Sequence, residues 1–320
     1  MSTGISIHKE FSESIRILWD NLNTQGVTSP FLNSFVRESW FNIFGSDYDL
    51  MILNHSDQLL MPLKVKNKSG SWVGSQDLFD LNDLIFQKEI KQSLLVDLIF
   101  FSFQKCDINR LDFFSIIQDS PLHKKLIEAC RTLNFKFEAT FEDVSPVIKL
   151  PKTWNDYLMS LTKKNRHEIR RKMRRLEEAG DINIETTNTQ NLRERISTFF
   201  ALMIENKEKK KFLTSDRKKF MSEIISDAIQ NDYGDLNFLT LNGSYVAASF
   251  YFVQESKISV YNSGFDQSFS ELSVGLLNHV LNIKKRIDTF EEFDFLRGSE
   301  NYKFRLGCES KNLIKIEIRE

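Results

Sequence analysis

Between Lys163 and Arg175 the chain places eight Lys or Arg residues against one acid, Glu168, in thirteen positions. On a helix, Ile169, Met173 and Leu176 form a narrow apolar stripe and the basic residues cover the remainder. Several Arg on one face make bidentate contacts to phosphate oxygens, so Arg166 and Arg170 are candidate phosphate contacts for a nucleotide, a phosphorylated sugar donor or RNA. The same run also reads as an ordinary solvated helix face. No aromatic residue interleaves with it, which argues against a stacking platform for single strands.

A second segment, Gly264-Phe265-Asp266-Gln267-Ser268-Phe269-Ser270-Glu271-Leu272-Ser273-Val274-Gly275-Leu276, runs from a strand end into a helix. A small-residue turn at a helix N-terminus exposes free N–H groups that suit a pyrophosphate, and a Ser cap with one Gly also begins many helices that bind nothing. In the third segment, Phe293 to Gly307, an Asp between two Phe is followed by Arg297-Gly298 and then Tyr302-Lys303. Ionisable groups at a strand's C-terminal end and in the loop after it are where α/β sites collect. The structural alternative has Asp294 capping the next turn and Tyr302 packing through its ring. His8, His55, His123, His167 and His279 share no metal-ligand spacing, and Cys106, Cys130 and Cys308 show no C-x-x-C pair, so no metal and no disulfide framework is expected.

The elements that must hold these segments follow from periodicity. Leu236 to Leu241 and Tyr245 to Val253 read as strands across Asn242-Gly243, the strongest short hairpin signal. Lys257 to Ser263 is a third strand, and Ser273 to Ile287 a helix with Ser273 as its cap. Phe293 to Leu296 is a strand, Asn301 to Leu306 a short helix, and Leu313 to Ile318 a final strand. The first half gives nearly the same string: strands at 49–53, 59–65 and 71–73, a helix at 93–103, a strand at 111–116, a helix at 123–133 and a strand at 135–141. Two copies of β-β-β-α-β-α-β suggest a duplicated α+β unit. Between them lie a helix over 154–179, a strand near 182–186 and helices near 192–211 and 215–230. Pro146 and Pro151 mark the boundary, giving domains 1–150 and 151–320, the second with a basic helical insert at 154–179.

Composition sets the outer bounds. The 320 residues are 41% hydrophobic and 27% charged, which excludes a disordered or collagen-like chain. With 43 Lys and Arg against 44 acids, nothing about the whole molecule demands DNA or an anionic membrane. The charge is uneven: 15 basic against 19 acidic residues up to Leu150, and 28 against 25 after it. The opening Met1 to Glu10 lacks a signal-peptide pattern, and Leu94 to Phe103, broken by Asp97, is too short to span a bilayer. A soluble cytoplasmic protein is expected.

The Phe-Asp-Phe-Leu-Arg-Gly-x-Glu-x-Tyr-Lys segment, the Tyr-Asn-Ser-Gly-Phe-Asp strand end at Tyr261 to Asp266, the Leu-Ser-Val-Gly-Leu-Leu helix start and the helix of Trp154 to Arg175 resemble the CelD-like branch of the GNAT acyltransferases, relatives of the FemAB aminoacyl transferases. Ser29-Pro30-Phe31, Trp40 and Leu60-Met61-Pro62-Leu63 look like that family's N-terminal half. The resemblance implies two tandem GNAT-like domains with mixed sheets flanked by helices, and N-acyl transfer, most simply N-acetyl transfer, from acyl-CoA to an amine acceptor such as an amino sugar or envelope precursor. It implies that acetyl-CoA or another acyl-CoA lies where Ile258 to Ser263 and Phe293 to Leu296 splay, its pyrophosphate on the amides of Ser273, Val274, Gly275 and Leu276. Asp294 would orient or deprotonate the amine; Tyr302 or Lys303 would protonate the thiol or stabilise the oxyanion. Tyr261, Arg297, Arg166 and Arg170 would contact substrate or phosphate. The family's phosphate loop normally opens with Arg or Gln, and here Glu271 stands there. That departure leaves two alternatives: an aminoacyl-tRNA donor, with the basic helix gripping tRNA phosphates, or a non-catalytic tandem module.

Overall fold

The computed structural model describes residues 4–23 and 29–320; Met1, Ser2 and Thr3 of the opening decapeptide lie outside them. The chain divides into two compact units, Met1–Val144 with Lys311–Glu320, and Ser145–Ser310.

In the first unit β1 (Ile5–His8), α1 (Glu13–Leu22) and α2 (Ser34–Phe44) lead to β2 (Asp49–His55), β3 (Leu59–Lys66), β4 (Ser69–Trp72) and the two-residue β5 (Ile85–Phe86). Then come α3 (Gln92–Lys105), β6 (Arg110–Ile117), α4 (Pro121–Leu133) and β7 (Lys136–Lys149). The second begins with α5 (Trp154–Ser160), α6 (Lys163–Ala179), β8 (Ile182–Thr186), α7 (Leu192–Ile204), α8 (Lys207–Phe212) and α9 (Ser215–Gln230). It continues through β9 (Gly234–Leu241), β10 (Ser244–Gln254), β11 (Lys257–Phe265), α10 (Val274–Arg286), β12 (Glu292–Asp294) and α11 (Asn301–Arg305), and β13 (Glu309–Arg319) comes last.

The expected β-β-β-α-β-α-β order is present twice. Each copy is also preceded by a strand and helices: β8 with α7 to α9 belongs to the second unit, and its counterparts β1, α1 and α2 escape the sequence reading. In both units three antiparallel strands are followed by one parallel to the third: β4 with β6, and β11 with β12. The Asn242-Gly243 turn has positive φ at both residues, 50° and 79°, the geometry that matches strand twist in a two-residue hairpin.

The sixth place in each sheet holds a surprise for the sequence reading. The first unit's strands run β1-β2-β3-β4-β6-β13, and the second's run β8-β9-β10-β11-β12-β7. Val147–Lys149 of β7 pairs antiparallel with β12, while β13 pairs antiparallel with β6. Each repeat's last strand therefore completes the other repeat's sheet, and residues 311–320 group with the first unit instead of closing a domain 151–320.

Two further local differences have plain causes. The helix expected over 154–179 is broken at Leu161-Thr162, because the Thr162 hydroxyl accepts from Asn165 N and starts α6 as a new helix. The strand expected over 293–296 ends at Asp294, because Leu296 takes a left-handed φ of 53° that no strand continues through.

In the second unit a buried cluster is built from Tyr157, Leu161, Ile169, Leu176, Tyr251, Val274, Leu277 and Phe293. The predicted stripe of α6 is its docking face: Ile169 and Leu176 are buried and Met173 packs against the cluster. Helix α10 is registered by a polar ladder at four-residue spacing. Asn278 Nδ2 donates to Ser249 Oγ (2.8 Å), Asn282 Nδ2 to Asn237 Oδ1 (3.1 Å), and Arg286 pairs with Asp235. Buried polar groups tolerate such burial only when paired, so the ladder fixes where α10 begins.

Candidate active site

The pair β11 and β12 runs parallel for three residues only, Lys257 opposite Glu292, Ile258 opposite Phe293 and Ser259 opposite Asp294. Among the described residues no strand pairs with this edge of β11 beyond Ser259, and β11 continues through Val260 to Phe265. Just past the parting, the pairing with β10 skips Tyr261 between Phe250 and Tyr251, a bulge that bends the strand. Gly264 lies deeper along the same strand, where a Cβ would collide with the backbone of Leu202 and Met203; only glycine lets α7 approach so closely.

Asp294 is buried and committed. One carboxylate oxygen pairs with Lys257 Nζ at 2.7 Å, and the other accepts from Leu296 N at 2.7 Å and from Ser145 Oγ at 3.3 Å. The turn-capping alternative is what the structure displays, and the carboxylate braces β7, β11 and β12 where they part. Lys303 is likewise buried: Nζ donates to the carbonyls of Arg297 (2.9 Å) and Gly298 (3.2 Å) and pairs with Glu300 at 2.9 Å. It shapes the loop between β12 and α11.

Tyr302 stacks on His279, with ring centroids 5.9 Å apart and 8° between planes, and meets Phe295 edge-on. Burial pushes its hydroxyl pKa well up, so the phenol keeps its proton. His279 is buried behind it. Burial, with the Lys209 and Lys303 ammoniums adding to it, pushes the imidazole down to about 3, which leaves it neutral. Cys308 is held as a thiol, burial pushing it up to about 12.

Lys209 on α8, absent from the sequence candidates, reaches this neighbourhood. Its Nζ donates to Ser263 O and to Asn262 Oδ1 (3.0 Å) on the stretch of β11 beyond its pairing with β12. Burial pushes it down to about 8, opposed by Glu300 and reinforced by Lys303. In sequence it stands within Lys207-Glu208-Lys209-Lys210-Lys211, and no spacing singles it out from its exposed neighbours.

At the start of α10, Ser273 does not cap through its side chain. It adopts a left-handed φ of 58°, and its hydroxyl instead accepts from Lys172 Nζ of α6. The first intrahelical bond runs from Leu277 N to Ser273 O, so the amides of Val274, Gly275 and Leu276 precede the helix's own bonding. A Cβ on Gly275 would lie 2.7 Å from the Phe265 ring, so this glycine is set by packing. Glu271 is exposed, and Lys172 supplies at this loop the positive charge that Glu271 does not.

The remaining phosphate candidates separate. Arg166 Nη1 lies 3.4 Å from each of the carbonyls of Leu158, Met159 and Leu161, where it closes the C-terminal end of α5 and is spent structurally. Tyr261 packs its ring on Phe250 and Phe252. Arg297 is half-buried in the loop whose carbonyl holds Lys303. Arg170 is exposed and lines a groove of about 830 Å³ with other residues of α6 and with Arg305. Among the described residues no group of three or more His, Cys, Asp or Glu has the arrangement to hold a metal ion, and no helix is long and apolar enough to cross a membrane.

Residues 163–304, from the start of α6 to α11, match the family described as Acetyltransferase (GNAT) domain. The match makes this segment, somewhat under half of the chain, a GNAT-type domain. The matched segment contains the splayed pair and the α10 start, and the fold of the whole chain is shared with solved structures of low identity. A conserved protein of unknown function from Bacteroides thetaiotaomicron superposes with a TM-score of 0.64 at 12% identity, covering 99% of this chain and 100% of that one. FemX superposes with a TM-score of 0.62 at 12% identity, covering 97% and 96%. The C-terminal domain of a putative lysylphosphatidylglycerol synthetase from Agrobacterium fabrum gives 0.61 at 9% identity, covering 97% and 92%. No curated protein matches the chain in sequence.

Proposed function

We propose that the second unit is a cytoplasmic N-acyltransferase that moves an acyl group, acetyl in the simplest case, from acyl-CoA to the amine of a small or sugar-linked acceptor such as an envelope precursor. The observation that carries this reading is the parting of β11 and β12 after three residue pairs, in line with the unbonded amides at the start of α10. The edge of β11 beyond Ser259, free of β12, offers backbone groups to an extended donor arm. The amides of Val274 to Leu276, with Lys172 beside Ser273, offer a positive end for its pyrophosphate.

The amine nitrogen attacks the thioester carbon, the C–S bond breaks, the amine loses one proton and the sulfur gains one. Tyr302 suits delivery of that proton, because burial keeps its hydroxyl protonated and the His279 and Phe295 rings fix its plane. Lys303 acts as a positioning residue through the carbonyls it gathers. Asp294 braces the parted strands, and the base is not assigned to it.

The test is calorimetric titration of the full chain with acetyl-CoA, followed by thiol release with candidate amines for wild type and Tyr302→Phe. Binding is expected, with a fall in kcat of about 100-fold or more for a lost general acid and a nearly unchanged KM, since the ring stack survives. A folded protein that binds no CoA would overturn the reading and turn attention to an aminoacyl-tRNA donor.

A further inference from the structure

The groove between α6 and α11 carries more positive charge than the structure uses. Lys164, Arg170, Arg171, Arg174 and Arg305 line it, with Glu168 as its one acid. That acid is engaged: Arg171 makes two hydrogen bonds to it, at 2.9 and 2.8 Å. Arg174 is 3.8 Å from Glu178, and neither Lys164, Arg170 nor Arg305 has a carboxylate partner among the described residues. Like charges gathered in a concavity repel one another unless an anion joins them. Arg305 stands three residues beyond Tyr302 on the five-residue α11, so this charge is contributed by the helix that also carries the proposed proton donor.

We propose that this groove is a binding site for the phosphate or diphosphate group of a small ligand, read by the forks of Arg170 and Arg305. Its size falls in the range of small-molecule sites. Guanidinium planes without a competing carboxylate grip phosphate oxygens in pairs. His167 is the only ring that lines it, with no Phe, Tyr or Trp among the lining residues, which leaves little of the stacking surface that single-stranded nucleic acid requires. The phosphate belongs either to the nucleotide of an acyl donor or to a diphosphate-linked sugar acceptor. The inference goes beyond the acyltransferase reading and does not depend on it: a protein that binds pyrophosphate here and ignores CoA keeps this site and loses that function.

The experiment is calorimetry of the full chain with inorganic pyrophosphate, for wild type, Arg170→Gln with Arg305→Gln, and Arg175→Gln, an exposed cation of α6 outside the groove. The expected result is binding by wild type, weakened about tenfold or more in the double variant, as befits the loss of two bidentate partners, and unchanged in Arg175→Gln. All the substituted side chains are exposed, and circular dichroism checks that the fold is intact. Competition by CoA against dephospho-CoA, and by a uridine diphosphate sugar, then tells the two sources apart. Absence of pyrophosphate binding, or equal weakening by Arg175→Gln, overturns the site. So does displacement by single-stranded RNA with a steep salt dependence, which would make the occupant a nucleic acid.

Discussion

Asp294 and Tyr302 show how one short segment divides its labour. The carboxylate, with three partners and almost no exposure, is set by the fold: removing one member of a buried ion pair costs about 3 kcal/mol or more. Asp294→Asn should therefore lower the urea midpoint markedly while the folded fraction retains most of its turnover per molecule. A loss of kcat without loss of stability would return Asp294 to the chemistry. The types at 293–307 were legible as site residues, because aromatic, acid and lysine cluster where a strand ends. Which of them braces and which reacts was not, since that depends on partners on other elements, Ser145 and Lys257 for Asp294 and His279 for Tyr302. Arg166 taught the same lesson: it sits in the most basic run of the chain and serves the carbonyls of α5.

Among the elements, α8 has the most to say about pH. Lys209 titrates near 8 in the fold against an ordinary 10.5, so between these values the unfolded chain holds the extra proton. The Lys209 contribution to stability must then rise with pH across that window, and the cost of burying its charge is fully present below it. Lys64 in the first unit is also pushed down to about 8 by burial and adds to the same slope. From pH 8 to 9, below the range where Cys106, Cys130 and Cys308, all pushed up by burial, contribute the opposite slope, unfolding free energies should climb in wild type, climb less in Lys209→Met, and climb least when Lys64→Met is added. An unchanged slope in Lys209→Met would mean that its ammonium is solvated. The strands around this latch were readable from alternation and from Asn242-Gly243. The break at Thr162 and the left-handed Ser273 were not, because a hydroxyl that caps one helix and meets Lys172 at another is a tertiary choice.

Across the whole molecule, the two repeats have parted in what their splayed strands contain. In the first unit β4 and β6 separate after Ser71 and Asp112, and the chain between β4 and α3 fills the gap. Asn82 bonds Phe114 O and Ser115 O, Arg37 holds Asn82 and the Val73 carbonyl, and Glu142 accepts from Ser115 N at 2.7 Å. The second unit spans the equivalent connection in eight residues, 266–273, and among the described residues no strand covers that edge, which is why the chemistry is proposed there. The duplication itself was visible in the element order; the exchange of last strands was not, because order along a chain names no pairing partner. Deleting residues 311–320 should therefore unfold the first unit and spare the second. Limited proteolysis should cut within 1–144 while a fragment near 145–310 persists, and uniform digestion of both would contradict the assignment of β13.

That exchange also has a consequence for how the protein is made. A ribosome releases the first unit's own sixth strand only after every residue of the second has been synthesised, so the N-terminal repeat waits, one edge of its sheet open, through most of the chain's translation. The second repeat meets its borrowed strand before its own first helix emerges. The unit proposed to carry the chemistry can thus close early, and the one ahead of it in the chain is sealed last.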